Sequence, residues 1–127
     1  MTNISHSTPQ NGIALLNTSA PFSSSNAKDS IDLALIFGSY ELAPSLFFFS
    51  DGVLQLIDNI DGDKISIKDF TKTFSALEFY DIEQVYVCEE SLKQRGLSKV
   101  QLIENVEVLS NEQFSQKLAS HKQVLKF

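Results

Sequence analysis

The sequence predicts one α/β domain, a single doubly wound, mostly parallel five-stranded sheet with helices on both faces. Short apolar runs rich in β-branched and aromatic residues alternate along the chain with segments whose apolar residues recur at helical spacing. This alternation is typical of parallel strands joined by right-handed helical crossovers. The chain has 127 residues, which is the size of one ordinary domain with its own core.

The composition narrows the classes of function. The net charge is -6 at pH 7, so we expect no direct contact with nucleic acid, which needs clustered basic side chains. The single cysteine excludes an internal disulfide, so the chain belongs in a reducing compartment or carries a free thiol. No basic segment precedes an apolar run at the start of the sequence, and no apolar run could span a bilayer. We therefore expect a cytoplasmic protein with no membrane association.

The first part of the chain predicts a leader, a strand, a loop and a helix. Residues 1–11 are polar and are predicted to be a disordered leader, so the domain would cover residues 12–127. Gly12 to Asn17 fits a buried strand. The loop from Thr18 to Asn26 is rich in serine but lacks the glycines of a nucleotide-binding loop, so no cofactor is predicted. The helix would run from Ala27 to Tyr40 with Asn26 as its N-cap.

That first helix is predicted to be apolar on two sides. Ile31 lies on one side, whereas Ile36 and Tyr40 lie on another. A helix of this kind is buried on two sides, so its second side would face either a partner subunit or a covering loop.

The middle of the chain predicts a strand from Ser45 to Ser50, a short helical segment from Val53 to Ile57 and a long helix from Ser66 to Phe79. The acidic stretch from Asp58 to Lys64 resembles a calcium loop only superficially. With Gly62 at the sixth place of the loop, Ile57 and Lys68 occupy the two positions that require carboxylates. We therefore expect a solvated acidic turn and no metal.

The chain around its only cysteine predicts a strand from Ile82 to Val87, followed by Cys88 and a short helix from Glu89 to Arg95 that Gly96 ends. Cys88 is thus expected at the carboxyl edge of the sheet, where ligands and chemistry collect in open α/β folds. A helix N-terminus favours a thiolate, whereas the two glutamates that follow disfavour it.

The last part of the chain predicts a fourth strand from Val106 to Leu109, a helix and a final strand from Gln123 to Phe127. Ser110 and Gln113 have the spacing of a capping box at the start of that helix. His121 lies near its carboxyl end and is expected to interact with the helix dipole.

Three segments of the sequence resemble one known family. They are TSAPF at 18–22, LFFFSDGVLQLI at 46–57 and FYDIEQVYVCEESLKQRGL at 79–97. Together with the terminal VLKF, they are similar to the DsrE/DsrF-like sulfur relay family, and most similar to its TusC (DsrF-type) branch. The resemblance extends from about Gly12 to Phe127.

The resemblance implies a small doubly wound, flavodoxin-like fold and a place in a TusBCD-like sulfurtransferase complex, built as a dimer of heterotrimers with TusB-like and TusD-like subunits. Such a complex passes persulfide sulfur to a downstream acceptor protein, toward 2-thiolation of the tRNA wobble uridine. The carrier cysteine of the family belongs to the TusD-type subunit, at a position that Cys88 matches. Ser23 to Ser25 stand where relatives commonly have a glycine-bearing loop.

Three hypotheses of function follow. The first is a structural and docking subunit of a sulfur relay complex, with no metal or cofactor of its own. The second is a thiol-dependent sulfurtransferase that acts by itself through Cys88 as a persulfide carrier. The third is a small-ligand binding module that uses the loop from Thr18 to Asn26. A buried structural cysteine is the alternative role for Cys88.

Overall fold

The computed structural model describes residues 12–20, 25–40, 42–57, 82, 84–103 and 105–127. Its strands are β1 (Ile13–Asn17), β2 (Ser45–Phe48), β3 (Val85–Cys88), β4 (Glu107–Leu109) and β5 (Gln123–Lys126). Its helices are α1 (Asn26–Ser39), α2 (Glu89–Gln94) and α3 (Asn111–Ala119), and 3-10 helices cover Ser50–Leu56 and Lys99–Gln101. The predicted leader, the predicted acidic turn and the predicted helix from Ser66 to Phe79 lie outside the described residues.

The strands form one five-stranded sheet in the order β4-β3-β2-β1-β5, and every pairing is parallel. The α/β prediction is therefore confirmed. Strands β1 to β4 follow one another in a single direction across the sheet, whereas β5 returns to the other side of β1. The carboxyl ends of all strands lie along one edge, which we call the carboxyl edge, and the opposite edge is the amino edge.

The sheet has a separate apolar layer on each face. On the first face, α1, α2 and the 3-10 helix Ser50–Leu56 cover strand residues such as Leu15 and Phe48. On the second face, Phe114 and Leu118 of α3 pack with Phe47, Tyr86 and Cys88. Both faces of the central strands are buried, which explains why β3 and the part of β2 after Ser45 are continuous apolar runs with no polar alternation.

Local sequence signals set the ends of the helices. The capping box that begins α3 is present, since Gln113 N donates to Ser110 Oγ while Ser110 N donates to Gln113 Oε1. Gly96 follows α2 with a φ of +69°, as expected of a glycine just past a helix end. At α1 the N-cap is Ser25 and not Asn26, and its hydroxyl donates to the Asp29 carboxylate. None of the helices among the described residues is long and apolar enough to cross a bilayer.

Candidate functional site

Cys88 is the last residue of β3 and directly precedes α2, so it lies at the carboxyl edge of the sheet. It pairs with Leu109 of β4 on one side. The sequence predicts this strand-to-helix junction, with a strand that stops one residue earlier. The thiol is completely buried, with an exposed fraction of 0%.

The Cys88 side chain lies on the face of the sheet that α3 covers. Side chains alternate along a strand, so Val87 belongs to the layer of α1 and α2, whereas Cys88 belongs to the layer of α3. Leu92 of α2 packs in the layer that holds Val87. The sulfur is therefore directed toward the opposite face from the α2 body, and the α2 N-terminus is not its helix contact.

The first turn of α3 closes over the thiol. Cys88 Sγ lies 3.8 Å from Asn111 Oδ1, a distance at which the S–H group donates a weak hydrogen bond to the amide oxygen. Phe114, one turn on, belongs to the same apolar layer as Cys88 and stacks at 5.8 Å against the partly exposed Phe49. Solvent or a donor molecule reaches the sulfur only if this cover moves.

A second feature of the carboxyl edge is the tight turn that follows β2. Ser50 adopts a φ of 55°, in the left-handed region that non-glycine residues rarely occupy. A Cβ on Gly52 would lie 1.9 Å from the backbone oxygen of Asn17, so only glycine fits where this turn meets the end of β1. Phe49 N donates to the same oxygen at 3.0 Å. The turn is thus fastened to β1 by its backbone.

Arg95 connects that turn to α2. Its Nε and Nη2 lie 3.2 and 2.9 Å from Asp51 Oδ1, and its Nη1 donates to Ser91 O at 3.1 Å. Nη2 also lies 3.3 Å from Ser50 Oγ, and Ser50 N donates to Ser91 Oγ at 2.9 Å. One guanidinium therefore fixes the left-handed turn against the helix that follows Cys88.

The carboxyl end of β1 contains polar side chains with unused acceptors. Asn17 donates from Nδ2 to the backbone oxygens of Leu15 and Phe47, while its buried Oδ1 has no hydrogen-bond partner. Gln55 donates from Nε2 to Ser19 O at 2.9 Å, and its buried Oε1 is also unpaired. A buried acceptor without a partner costs stability. Asn17 ends β1, and Gln55 reaches the loop after β1 from the 3-10 helix Ser50–Leu56, with no described contact to Cys88.

No cluster of metal ligands is apparent in the part of the chain that the structure describes. It contains no group of three or more His, Cys, Asp or Glu residues that could hold a metal ion. The acidic stretch from Asp58 to Lys64 and the serines at 23 and 24 lie outside the described residues. The small-ligand hypothesis for the loop from Thr18 to Asn26 therefore stays a prediction.

His121 contacts the end of α3, as the sequence predicts, but it is buried. Its Nδ1 lies 3.0 Å from the backbone oxygen of Lys117, which belongs to the last turn of α3. Its Nε2 lies 2.9 Å from Ser45 Oγ, and its ring meets Phe47 edge-on at 5.3 Å. This histidine thus fastens the turn between α3 and β5 to the beginning of β2.

Sequence reasoning missed the residues that surround Cys88 in space. Asn111 directly follows the capping serine Ser110, and this position was the available signal for a side chain at the carboxyl edge. Arg95 stands next to the terminating Gly96, and Asp51-Gly52 marks the turn after β2. The side chains of Arg95 and Asp51 are in contact although the two residues are 44 positions apart in the sequence.

Residues 11–127 match the model of the DsrE/DsrF-like family. The chain belongs to that family.

Individual relatives give a more specific comparison than the family model. The chain is 33% identical over 117 residues to a protein named TusC homolog of Aliivibrio fischeri, covering 92% of this chain and 99% of the relative. Two TusC homologs of Vibrio vulnificus are 37% and 36% identical over 115 residues, covering 91% of this chain and 98% of each relative. Among solved structures, the YchN protein of E. coli superposes with a TM-score of 0.71 and 26% identity, covering 92% of this chain and 99% of that one.

Proposed function

We propose that this chain is a structural and docking subunit of a sulfur relay complex of the TusBCD type. Its membership of the DsrE/DsrF-like family and its similarity to proteins named TusC homolog support this function. The partners would be TusB-like and TusD-like subunits in a dimer of heterotrimers, located in the cytoplasm. The complex would pass persulfide sulfur to an acceptor protein, toward 2-thiolation of the tRNA wobble uridine.

The observation that carries the docking role is the complete burial of Cys88. It is the only cysteine of the chain, and its exposed fraction is 0%. Persulfide transfer requires an accessible thiolate that attacks a sulfane sulfur. Because this thiol is covered by α3 and donates to Asn111, the exchanged sulfur is expected on a partner subunit.

Exposed apolar side chains near the end of α1 support the docking role. Ile36, Tyr40 and Leu42 are 53%, 73% and 56% exposed, although other apolar residues of the same helix pack against the core. The sequence predicts a helix that is apolar on two sides, and Ile36 and Tyr40 of the second side are exposed in this chain. Apolar side chains grouped at one place on a surface favour contact with another protein.

The net charge of -6 supports a position upstream of the RNA. An acidic chain is repelled by phosphates, so the tRNA would contact a different component of the pathway. This subunit would shape the complex and position its partners.

The deciding experiment compares wild type and Cys88→Ser within the assembled complex. The complex is loaded with a persulfide donor, and sulfur on each subunit is measured by intact mass spectrometry with and without reductant. We expect this subunit to gain no sulfur and the Cys88→Ser complex to transfer sulfur at the wild-type rate. A reducible single-sulfur adduct on wild type that Cys88→Ser loses, together with lost transfer, would exclude a docking role alone.

The docking surface is tested separately by size-exclusion chromatography with the related subunits. Ile36→Asp is expected to weaken assembly, since it places a charge in the group formed with Tyr40 and Leu42. Val100→Asp is the matched control, because Val100 is 89% exposed on a different segment. Equal assembly of the two variants would contradict the proposed surface.

A second candidate function is a persulfide carrier at Cys88, favoured by its position at the carboxyl edge. The Cys88 thiolate would attack the outer sulfur of a donor persulfide, and the donor thiolate would leave as the new S–S bond forms. The cover formed by Asn111 and Phe114 would have to open first. Asn111→Ala should then accelerate alkylation of Cys88 by iodoacetamide. Glu112→Ala, at the neighbouring exposed position, should not.

A further inference from the structure

Three polar residues from distant parts of the chain meet at the amino edge of the sheet. Ser45 begins β2, Gln84 directly precedes β3, and His121 lies in the turn between α3 and β5. Ser45 Oγ lies 2.9 Å from Gln84 Oε1 and 2.9 Å from His121 Nε2. The docking role proposed above uses none of them, so this group requires its own explanation.

The partners of the His121 ring nitrogens and of Ser45 Oγ define one complete hydrogen-bond pattern. Nδ1 faces the backbone oxygen of Lys117, which only accepts, so Nδ1 bears a proton. Ser45 has one hydroxyl proton and donates it to Gln84 Oε1, so its oxygen must accept from Nε2. With the Gln84 amide in this orientation, every polar atom of the group is paired when both ring nitrogens donate.

Loss of the Nε2 proton to solvent would turn that nitrogen into an acceptor. Ser45 Oγ would then face an acceptor on each side while holding one proton, and one contact would become repulsive. The contact is restored if Ser45 donates to Nε2 and the Gln84 amide reverses, so that its NH₂ group donates to Ser45 Oγ. The two ends of an amide have nearly the same shape, so this reversal needs no additional space.

We propose that His121, Ser45 and Gln84 form a proton-linked hydrogen-bond relay in which deprotonation of His121 reverses the Ser45 hydroxyl and the Gln84 side-chain amide. One proton is exchanged with solvent, and no other bond to hydrogen is made or broken. When His121 loses its charge in the turn before β5, the group that the Gln84 amide presents to Ser45 changes from an acceptor to a donor. Histidine is the side chain suited to this task, because it ordinarily titrates between about pH 5 and 8.

The groups around the ring are compatible with both states. On α3, Lys117 places its ammonium over the Tyr86 ring at 5.3 Å, and Lys122 directly follows His121. From β2, Phe47 fixes the imidazole edge-on. Neither ion pair found among the described residues includes His121, so no carboxylate there holds the ring in its charged form.

Tyr86 of β3 is the remaining titratable group at the relay, and it stays a phenol. Burial raises the pKa of Tyr86, and the nearby Glu107 carboxylate of β4 raises it further. Its hydroxyl lies 3.4 Å from Gln84 Oε1, where it donates in the described state and can accept after the amide reverses.

The proposed relay changes side chains only, because the Gln84 backbone is held in place. Gln84 O accepts from Leu46 N at 2.8 Å, so the Gln84 main chain is held against β2 in either state. The relay therefore changes the hydrogen-bonding character of a half-buried amide without altering the strand register.

The test is an NMR titration of the full chain in a His6→Ala background, which leaves His121 as the only one of the two histidines. The ring nitrogens of His121 and the side-chain NH₂ signals of Gln84 are followed from about pH 5 to 8.5, the range in which histidine titrates. We expect the Gln84 signals to move with the His121 midpoint, while the exposed Gln116 amide does not follow it. Gln84 signals that are independent of His121 would overturn the relay.

Ser45→Ala separates the relay from a direct effect of charge. The variant keeps the His121 contact with Lys117 O but removes the hydroxyl that joins His121 to Gln84. Gln84 is then expected to lose its dependence on the His121 midpoint. If the dependence persists in Ser45→Ala, it acts through space and the relay is wrong.

Discussion

The carboxyl and amino edges of the sheet use buried polar side chains in opposite ways. At the carboxyl edge, Asn17 and Gln55 each bury an oxygen that has no partner, and the Cys88 thiol makes one weak contact. At the amino edge, Ser45 and His121 use their polar atoms in short hydrogen bonds that join β2, α3 and the approach to β5. The amino edge is thus closed by side chains, whereas the carboxyl edge is closed by backbone contact and one arginine.

This difference indicates where the fold depends on side-chain chemistry and where it depends on shape. Satisfied buried networks contribute stability, whereas unpaired buried acceptors reduce it. Ligands and partners of open α/β sheets meet the carboxyl edge, and unpaired groups there are compatible with such a use. The variants below test the comparison, beginning with the largest expected effect.

Gly52→Ala should cause the largest loss of stability. The added Cβ would lie 1.9 Å from the Asn17 backbone oxygen, so either β1 or the turn after β2 must move. We expect a cost of at least about 3 kcal/mol in the free energy of unfolding, measured by urea denaturation.

Gly96→Ala is the matched control for that variant. Its Cβ meets nothing within 4 Å, so only the left-handed φ of +69° opposes the change, at a cost of about 1 kcal/mol. Similar losses in the two variants would show that backbone packing does not hold the carboxyl edge together.

Two buried serines provide the next test. Ser45→Ala removes a hydroxyl with two partners and leaves the buried His121 Nε2 without one, so we expect a loss of about 2 kcal/mol. Ser30→Ala removes a buried hydroxyl that has no partner in α1, and alanine favours the helix, so stability should change by less than about 0.5 kcal/mol or rise. Both are read from denaturation midpoints. Equal losses would remove the distinction between satisfied and unsatisfied polar groups.

A smaller effect is expected for the ion pair of Arg95. Its side chain is partly exposed and its partner Asp51 more so, so Arg95→Ala should cost about 1 kcal/mol. Salt screens exposed charges, so this loss should shrink in about 1 M NaCl, while that of Ser45→Ala should not. Lys28→Ala, which breaks an exposed pair with Asp32, should cost less than either. A salt-independent loss at Arg95 would mean that its neutral contacts with Ser50 and Ser91 dominate.

The sequence predicted features that depend on neighbours along the chain. The capping box of Ser110 and Gln113 and the terminating Gly96 are local signals, and both are observed. The alternation of strands and helices predicted the parallel sheet, and the junction after β3 placed Cys88 at the carboxyl edge.

The sequence could not predict features that depend on facing direction or distant contact. Both faces of β3 are buried, so no polar alternation indicates that Cys88 faces α3 and Val87 faces α1 and α2. His121 and Ser45 are 76 positions apart, and a histidine near a helix end predicts only a dipole contact. The preference of asparagine for N-cap positions also failed to identify the N-cap of α1, which is Ser25 and not Asn26.

The position of β1 has a consequence for the order in which the molecule folds. β1 pairs on one side with β2, which follows soon after it, and on the other with β5, which lies almost the whole described chain away. Contacts of such long range form late and slow the folding of a domain. During synthesis, one side of β1 therefore stays unpaired until Gln123–Lys126 has emerged from the ribosome. Until then, the unpaired side of β1 can pair wrongly with a strand of a neighbouring chain.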